Sequence, residues 1–467
     1  MNPNKRFFSL IVFFCFCFFV FSAYGADEFL STSLKIAEAR SKKLAVASEQ
    51  IKLSSTRLFS SGRQFFPAVS FESNIQKGMV IYPNTGDYQS EQLALRGEEP
   101  LYQGGKLRAT YRYDSLLLTA ARYNYTKTRE ELFAAIKLAY YELLSSKMQF
   151  KALSDAFNDI EKLNNKVISE YTAKAISELD LVESENFRDK VKDMLDNTKD
   201  DINLAEKKLT VLLNIERLDE IPVTMPENLT ENVPEISFSL ADCLDFARLN
   251  NIDVISNQLQ IKAAEQKQKI VKSQLIPNFS VQGSIGQGGE AFTTEPLELS
   301  NTWSLMGKMN WGLWGNSIEA SQNTDHTDPT LVTDPYAKID NQTTDVKVGL
   351  LDNTNYFVQS KETDVSYFQA RSDYTDSMNK AILDVSKNYN DYRSSYRDIR
   401  TYRNEIILKK RKLAYLKKRN DLYEIPTVQL MEESWKYAET ISSYAKALNK
   451  NYAAVTEIER LTLVPMR

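Results

Sequence analysis

From Lys106 to Ile221 the chain runs 116 residues without glycine or proline, and from Leu350 to Ile425 another 76. Both residue types are costly inside a helix, so their absence over such lengths leaves long helices as the expected structure. A single 116-residue helix would rise about 170 Å, which makes a reversal the better expectation. The first reversal falls near "YTAKAISELDL", Tyr171 to Leu181, where Ser177 and Asp180 have capping-box-like spacing. Pro426, in "LYEIPTVQL", marks the second. Leu132, Ile136, Ala139 and Leu143 recur at helical spacing, flanked by Phe133, Tyr140 and Leu144. Such a stripe reads as coiled-coil-like core, and the Lys and Glu around it as a solvated face.

Two short stretches have a different grammar. "QLIPNFSVQGSI", Gln274 to Ile285, breaks at Pro277 and then places Phe279, Val281 and Ile285 on alternate positions. "QFFPAVSFESNI", Gln64 to Ile75, does the same after Pro67 with Val69, Phe71 and Ile75. Alternation of period two predicts strands with one apolar face. A returning strand follows each: Trp303, Leu305, Met309, Trp311 and Leu313 share one face, whereas Leu93 and Leu95 begin a pattern that "RGEEP" interrupts.

These stretches belong to an internal duplication. A shift of 210 residues superimposes "LSTSLKIA" (Leu30 to Ala37) on "LADCLDFA" (Leu240 to Ala247), and Gln50–Lys52 on Gln260–Lys262. It also superimposes Pro67 on Pro277 and Ile75 on Ile285, preserving the alternation of faces. The expected division is a first repeat over 26–221 (helix, strand pair 67–102, helical hairpin 104–221) and a second over 237–467. The second has strand pair 277–315, a polar insertion at 316–346 and a helical hairpin over 350–464. "VKVGL", Val346 to Leu350, could add a short strand to the insertion. A proline-rich linker, 222–236, joins the halves.

Residues 1–25 read as a signal peptide: Lys5 and Arg6 precede an apolar run from Phe7 to Phe21, and Ala23 and Gly25 suit cleavage. Cleavage leaves 56 basic against 62 acidic residues, a formal charge of −6 that gives no basis for nucleic-acid binding. Cys243 alone remains, which excludes an internal disulfide framework. No later segment is apolar for long enough to form a membrane-spanning helix. Any later meeting with a membrane therefore falls to strands or to an interfacial surface.

The four predicted strands could form the core of an ordinary sandwich or turn their apolar face to lipid. Their length, and the placing of Trp303 and Trp311 near opposite ends of one face, favour lipid. Four strands cannot close a barrel, and open edges in hydrocarbon leave backbone groups unpaired. A membrane reading thus requires several chains, each contributing a stave.

In this arrangement the chain resembles the TolC family of outer-membrane efflux and secretion channels over essentially all of its mature length. The resemblance is carried by the paired openings, Pro67 and Pro277 at the helix-to-strand switches, "EPLYQGGKLRA" (Glu99 to Ala109), and Tyr171 with "DLVES" (Asp180 to Ser184). It implies a mainly α chain with membrane β structure, forming a long α-helical barrel. Four strands per chain would contribute to a twelve-stranded β-barrel in a homotrimer. It further implies a place in the bacterial outer membrane extending into the periplasm, in contact with outer-membrane lipid. The partners implied are a periplasmic adaptor (membrane fusion) protein and an inner-membrane RND or ABC transporter. The resemblance also implies an adaptor-docking and gating region at the hairpin turns: Lys174, Ser177, Asp180, Pro426, Gln429 and Glu432. Two of these depart from the family pattern, Lys174 where glycine is usual and Gln429 where an acid is common. For Asp180 and Glu432 the favoured reading is a helix N-terminal acid stabilised by the macrodipole, ahead of a role in the gate.

An enzyme is the competing class. No catalytic residue, cofactor motif or metal site is expected, because the chain has no phosphate loop, nucleophile elbow or paired cysteines. Asp325, His326 and Asp328 supply too few ligands for a firm metal site and read as a solvated loop. A third class is a periplasmic coiled-coil tether or scaffold without a pore.

Overall fold

A computed structural model describes residues 26–80, 86–217, 233, 235–292, 296–328 and 339–466. The expected signal peptide and most of the linker lie outside them. The described residues separate into two compact units, one drawn from 26–45, 127–251 and 380–466 and the other from 46–126 and 252–379.

Eight α-helices, one turn of 3-10 helix (Ser273–Leu275) and six strands follow one another among the described residues. The first half runs α1 (Ala26–Arg40), α2 (Lys42–Arg63), β1 (Ala68–Val80), β2 (Gly86–Gln103), α3 (Lys106–Thr172) and α4 (Glu178–Leu213). The second runs α5 (Leu240–Asn250), α6 (Ile252–Lys272), β3 (Asn278–Phe292), β4 (Ser300–Leu313), β5 (Asn316–Thr327), β6 (Ile339–Gly349), α7 (Asn355–Asp421) and α8 (Thr427–Thr462). The duplication extends to lengths: α3 and α7 have 67 residues each, α4 and α8 have 36 each.

In the helical unit each half buries an equivalent core. Phe29 and Ala37 of α1 pack with Ile136, Tyr140 and Leu143 of α3 and with Ala205 and Leu209 of α4. Cys243 and Ala247 of α5 pack with Val385 and Tyr392 of α7 and with Val455 and Ile458 of α8. The stripe on α3 is thus core: Ile136, Ala139 and Leu143 are buried, with Leu132 half-buried at its edge. A third cluster joins the two hairpins, with Leu153 and Ile160 of α3, Val191 of α4, and Met431 and Ala438 of α8.

The other unit contains one antiparallel sheet in the order β1-β2-β3-β4-β5-β6. Its first four strands are the two predicted pairs. β2 passes through "RGEEP" because Arg96 and Glu98 take the polar face, and a register shift between Pro100 and Tyr102 accommodates the proline.

The region expected to be a polar insertion, and the total of four strands, need correction. β5 pairs along its full length with β4, and β6 along its full length with β5. Their alternation was illegible because Ser317, Glu319, Ser321, Asn323 and Asp325 face away from an equally polar Gln322, Thr324 and His326. The hairpin is spliced in at one corner. Trp314 and Gly315, 210 residues after Gly104 and Gly105, both have positive φ, as a tight two-residue turn requires. The chain then returns to the same point, where Asn353 N–H donates to the Gly315 carbonyl at 3.0 Å.

Candidate functional sites: a two-faced sheet and two matched hairpin turns

Cross-strand register fixes which residues share a face of the sheet. Phe71, Leu95, Ile285 and Trp303 stand in one row across β1 to β4. Val69 and Leu305 occupy the next row, and Phe279 and Met309 a third. This apolar face is open: Phe71 is 71% exposed, Ile285 64% and Val69 64%. Ile75, Phe279, Trp303 and Leu305 are exposed as well, whereas Val281, Trp311 and Leu313 are half-buried. Nine or more exposed apolar side chains on one sheet face form a patch that water does not favour. Glu91 and Glu99 interrupt it on β2.

The opposite face is polar and internally bonded. Arg96 pairs with Glu72 at 3.0 Å, Lys308 donates to Gln282 at 2.8 Å, and the Ser284 and Ser304 hydroxyls lie 2.7 Å apart. Polar residues continue across it onto β5 and β6, where Lys347 lies 3.8 Å from Glu319.

Pro67 and Pro277 stand at the helix-to-strand switches, each immediately before its strand. Arg63 seals the first by donating to the carbonyls of Phe66 and Pro67 at 2.9 and 2.7 Å. Trp311 seals the second: its indole N–H donates to the Leu275 carbonyl at 3.0 Å. That bond ties the end of the apolar face nearest Pro277 to the helix-to-strand switch. His326, expected in a solvated loop, lies on β5 opposite Trp303 and stacks on it with ring centroids 5.6 Å apart. Its ring nitrogens also meet Asp340 and Asp328.

The two hairpin turns of the helical unit are built alike. Lys174 and Tyr423 both adopt left-handed backbone, with φ of 57° and 59°. Lys174 N–H donates to Tyr171 and Ala175 N–H to Glu170; Tyr423 N–H donates to Asn420 and Glu424 N–H to Arg419. This is the Schellman pattern in both hairpins, and it accounts for the glycine that the resemblance expects at 174. After the first turn Ser177 accepts from the Asp180 N–H at 3.2 Å, while Asp180 accepts from the Ser177 N–H at 3.1 Å. Asp180 therefore acts as one half of a capping box. After the second, Pro426 caps α8 with backbone alone, and Gln429 N–H donates to its carbonyl at 3.2 Å. Glu432 pairs with Lys436 at 2.6 Å, and this hydrogen bond pushes the Lys436 ammonium above its ordinary range.

The structure adds a polar network that links the turns and that the sequence did not signal. Lys166 of α3 donates to Asn420 of α7 at 2.8 Å, and Thr427 of α8 donates to both Glu170 oxygens at 3.2 Å. Asn420 is buried and donates in turn to the Ile425 carbonyl and to Thr427. Deeper on α8, the buried Glu433 meets Lys412 at 2.7 Å. No spacing rule connects positions 250 residues apart, so only the fold could bring them together.

A duplicated chain of long helical hairpins carrying a two-faced antiparallel sheet has the fold of the outer-membrane channels of the TolC kind. The solved Campylobacter jejuni CmeC outer membrane channel superposes with a TM-score of 0.74 at 12% identity, covering 93% of this chain and 85% of that one. The outer membrane protein VceC of Vibrio cholerae gives 0.72 at 14% identity, covering 94% and 97%. The open state of the Neisseria gonorrhoeae MtrE outer membrane channel gives 0.73 at 12%, covering 94% and 89%. No protein-family model and no curated protein sequence matches the chain. Among the described residues, no helix is long and apolar enough to cross a membrane.

Proposed function

We propose that the protein is the outer-membrane exit duct of a tripartite efflux or type I secretion assembly, and that it works as a passive conduit. The observation that carries this reading is the division of the sheet into one exposed apolar face and one polar face. On β4 the apolar positions run from Trp303 to Leu313, about 33 Å along a strand. At the tilt usual for membrane strands that becomes about 25 Å, the height of an outer-membrane apolar band.

β1 and β6 leave both sheet edges open. In hydrocarbon those edges need partners, which supports closure by further copies. Three copies gather eighteen strands, twelve of them from the duplicated pairs. The polar face then lines water, and the helices of the three copies extend the passage into the periplasm.

Gating falls to the hairpin turns. The Lys166–Asn420 and Glu170–Thr427 bonds hold the two hairpins together, and opening separates them. The adaptor docks at these turns, and an RND or ABC transporter of the inner membrane supplies the energy. Planar-bilayer conductance tests the reading. Purified protein should run as a heat-sensitive oligomer in detergent and conduct ions in discrete steps. A folded, water-soluble monomer that conducts nothing would contradict it.

A further inference from the structure

The free faces of α4 and α7 carry charge of opposite sign. On α7, Arg393, Arg397, Arg400, Ile407, Arg411 and Lys418 fall on one line, with Asn404 and Ala414 completing steps of alternately four and three residues. That is the heptad spacing of a helix-pairing seam, but basic where such seams are usually apolar. On α4, Glu178, Val182, Glu185, Asp189, Asp193, Asp196 and Asp200 form an acidic line in steps of three or four residues. Each seam lies on the side turned away from the residues its helix buries: Ser395, Ile399 and Asn420 on α7, Ser184, Val191 and Thr198 on α4. Asp189 meets its neighbour Arg188 at 2.9 Å, and none of the other charged seam residues has an ion-pair partner among the described residues.

The lines also match in length and level. Glu178 to Asp200 rises about 33 Å, and Arg393 to Lys418 about 37 Å. Both are measured from hairpin turns that Lys166–Asn420 and Thr427–Glu170 hold side by side within the helical unit. The exposed Val182 (54%) and Ile407 (48%) interrupt the charges, as suits a covered contact better than a solvated face.

We infer that the acidic seam of α4 on one copy receives the basic seam of α7 on the next. Two different surfaces meeting head to tail make a heterologous contact, which closes a ring when the rotation permits. Opposed charge lines fix the order and vertical register of the copies, as charge does at interfaces generally. This rests on the oligomeric duct proposed above and names the surface that assembles it.

Charge reversal on the full-length protein tests the inference. Asp193→Lys, Asp196→Lys and Asp200→Lys together, or Arg397→Glu, Arg400→Glu and Arg411→Glu together, should each cut the detergent-stable oligomer by about tenfold or more. Circular dichroism should show the helices intact. Combining the two sets restores opposite signs and should recover the oligomer. Normal assembly of either reversed protein, or no recovery in the combined one, overturns the seam; the latter result assigns the charges to another partner. A conducting oligomer indifferent to both reversals sinks the seam alone. An unaltered protein that is monomeric and silent sinks the duct and the seam with it.

Discussion

Lys166 Nζ donates to Asn420 Oδ1 at 2.8 Å, joining two hairpins whose residues stand 254 positions apart. Asn420 is buried, and its amide also serves the Ile425 carbonyl and Thr427. Removing one member of such a network leaves the others unsatisfied, at about 1–3 kcal/mol. Under the gating proposed above, Asn420→Ala should therefore loosen the contact between the two hairpin turns. Single-channel recording should show larger or more frequent openings than the unaltered protein; unchanged conductance would remove Asn420 from the gate.

Lys174 tests the hairpin turn itself. An L-residue with a side chain at φ 57 carries a strain that glycine does not. Lys174→Gly should raise stability by about 1 kcal/mol, and Lys174→Val should lower it, because a branched Cβ tolerates the left-handed region least. Urea denaturation followed by the helical signal reads both. Tyr423→Gly should behave likewise, since the second turn repeats the first.

The two faces of β3 should respond oppositely to charge. Ile285→Arg places a cation on the apolar row beside Leu95 and Trp303, where the lipid contact proposed above makes it cost about 2–4 kcal/mol. Ser284→Arg projects to the polar face, beside Ser304, and should be tolerated. The temperature at which the oligomer dissociates on a denaturing gel separates the cases. Equal sensitivity of the two positions would contradict the facing assigned here.

A pH effect follows from α5. The Ser239 hydroxyl and backbone N–H both donate to the Asp242 carboxylate, at 2.7 and 3.0 Å, and hold it below the usual carboxylate range. A depressed value means that its stabilising effect is present at neutral pH and is lost as pH falls through the folded-state value. Asp242→Asn should thus melt below the unaltered protein near pH 7, and the gap should close in strong acid. A gap independent of pH would deny the capping box this role.

Much of the architecture was legible because its signals were periodic. The long glycine- and proline-free stretches are α3 with α4 and α7, and the 210-residue shift maps Pro67 onto Pro277 at equivalent switches. Of the β5–β6 hairpin only the end of β6 was legible, in "VKVGL"; the rest was missed because strands reveal themselves by contrast between faces, and Gln322, Thr324, Gln342 and Thr344 supply none. Pairing with β4 overrides that weak local pattern. At the turns, Ser177 and Asp180 were readable as a capping pair because their partners are local. The Lys166, Glu170, Asn420 and Thr427 network was not, since tertiary packing alone makes those residues neighbours.

The most direct test follows a spin label along β3 in bilayers, at positions 279 to 285, in a background lacking Cys243. Labels at Phe279, Val281 and Ile285 should be reached by oxygen dissolved in lipid, and labels at Ser280, Gln282 and Ser284 by a water-soluble relaxation agent. Such two-residue alternation is the account's prediction. Uniform access to the aqueous agent along the strand, or protection of the odd positions from both agents, would contradict it.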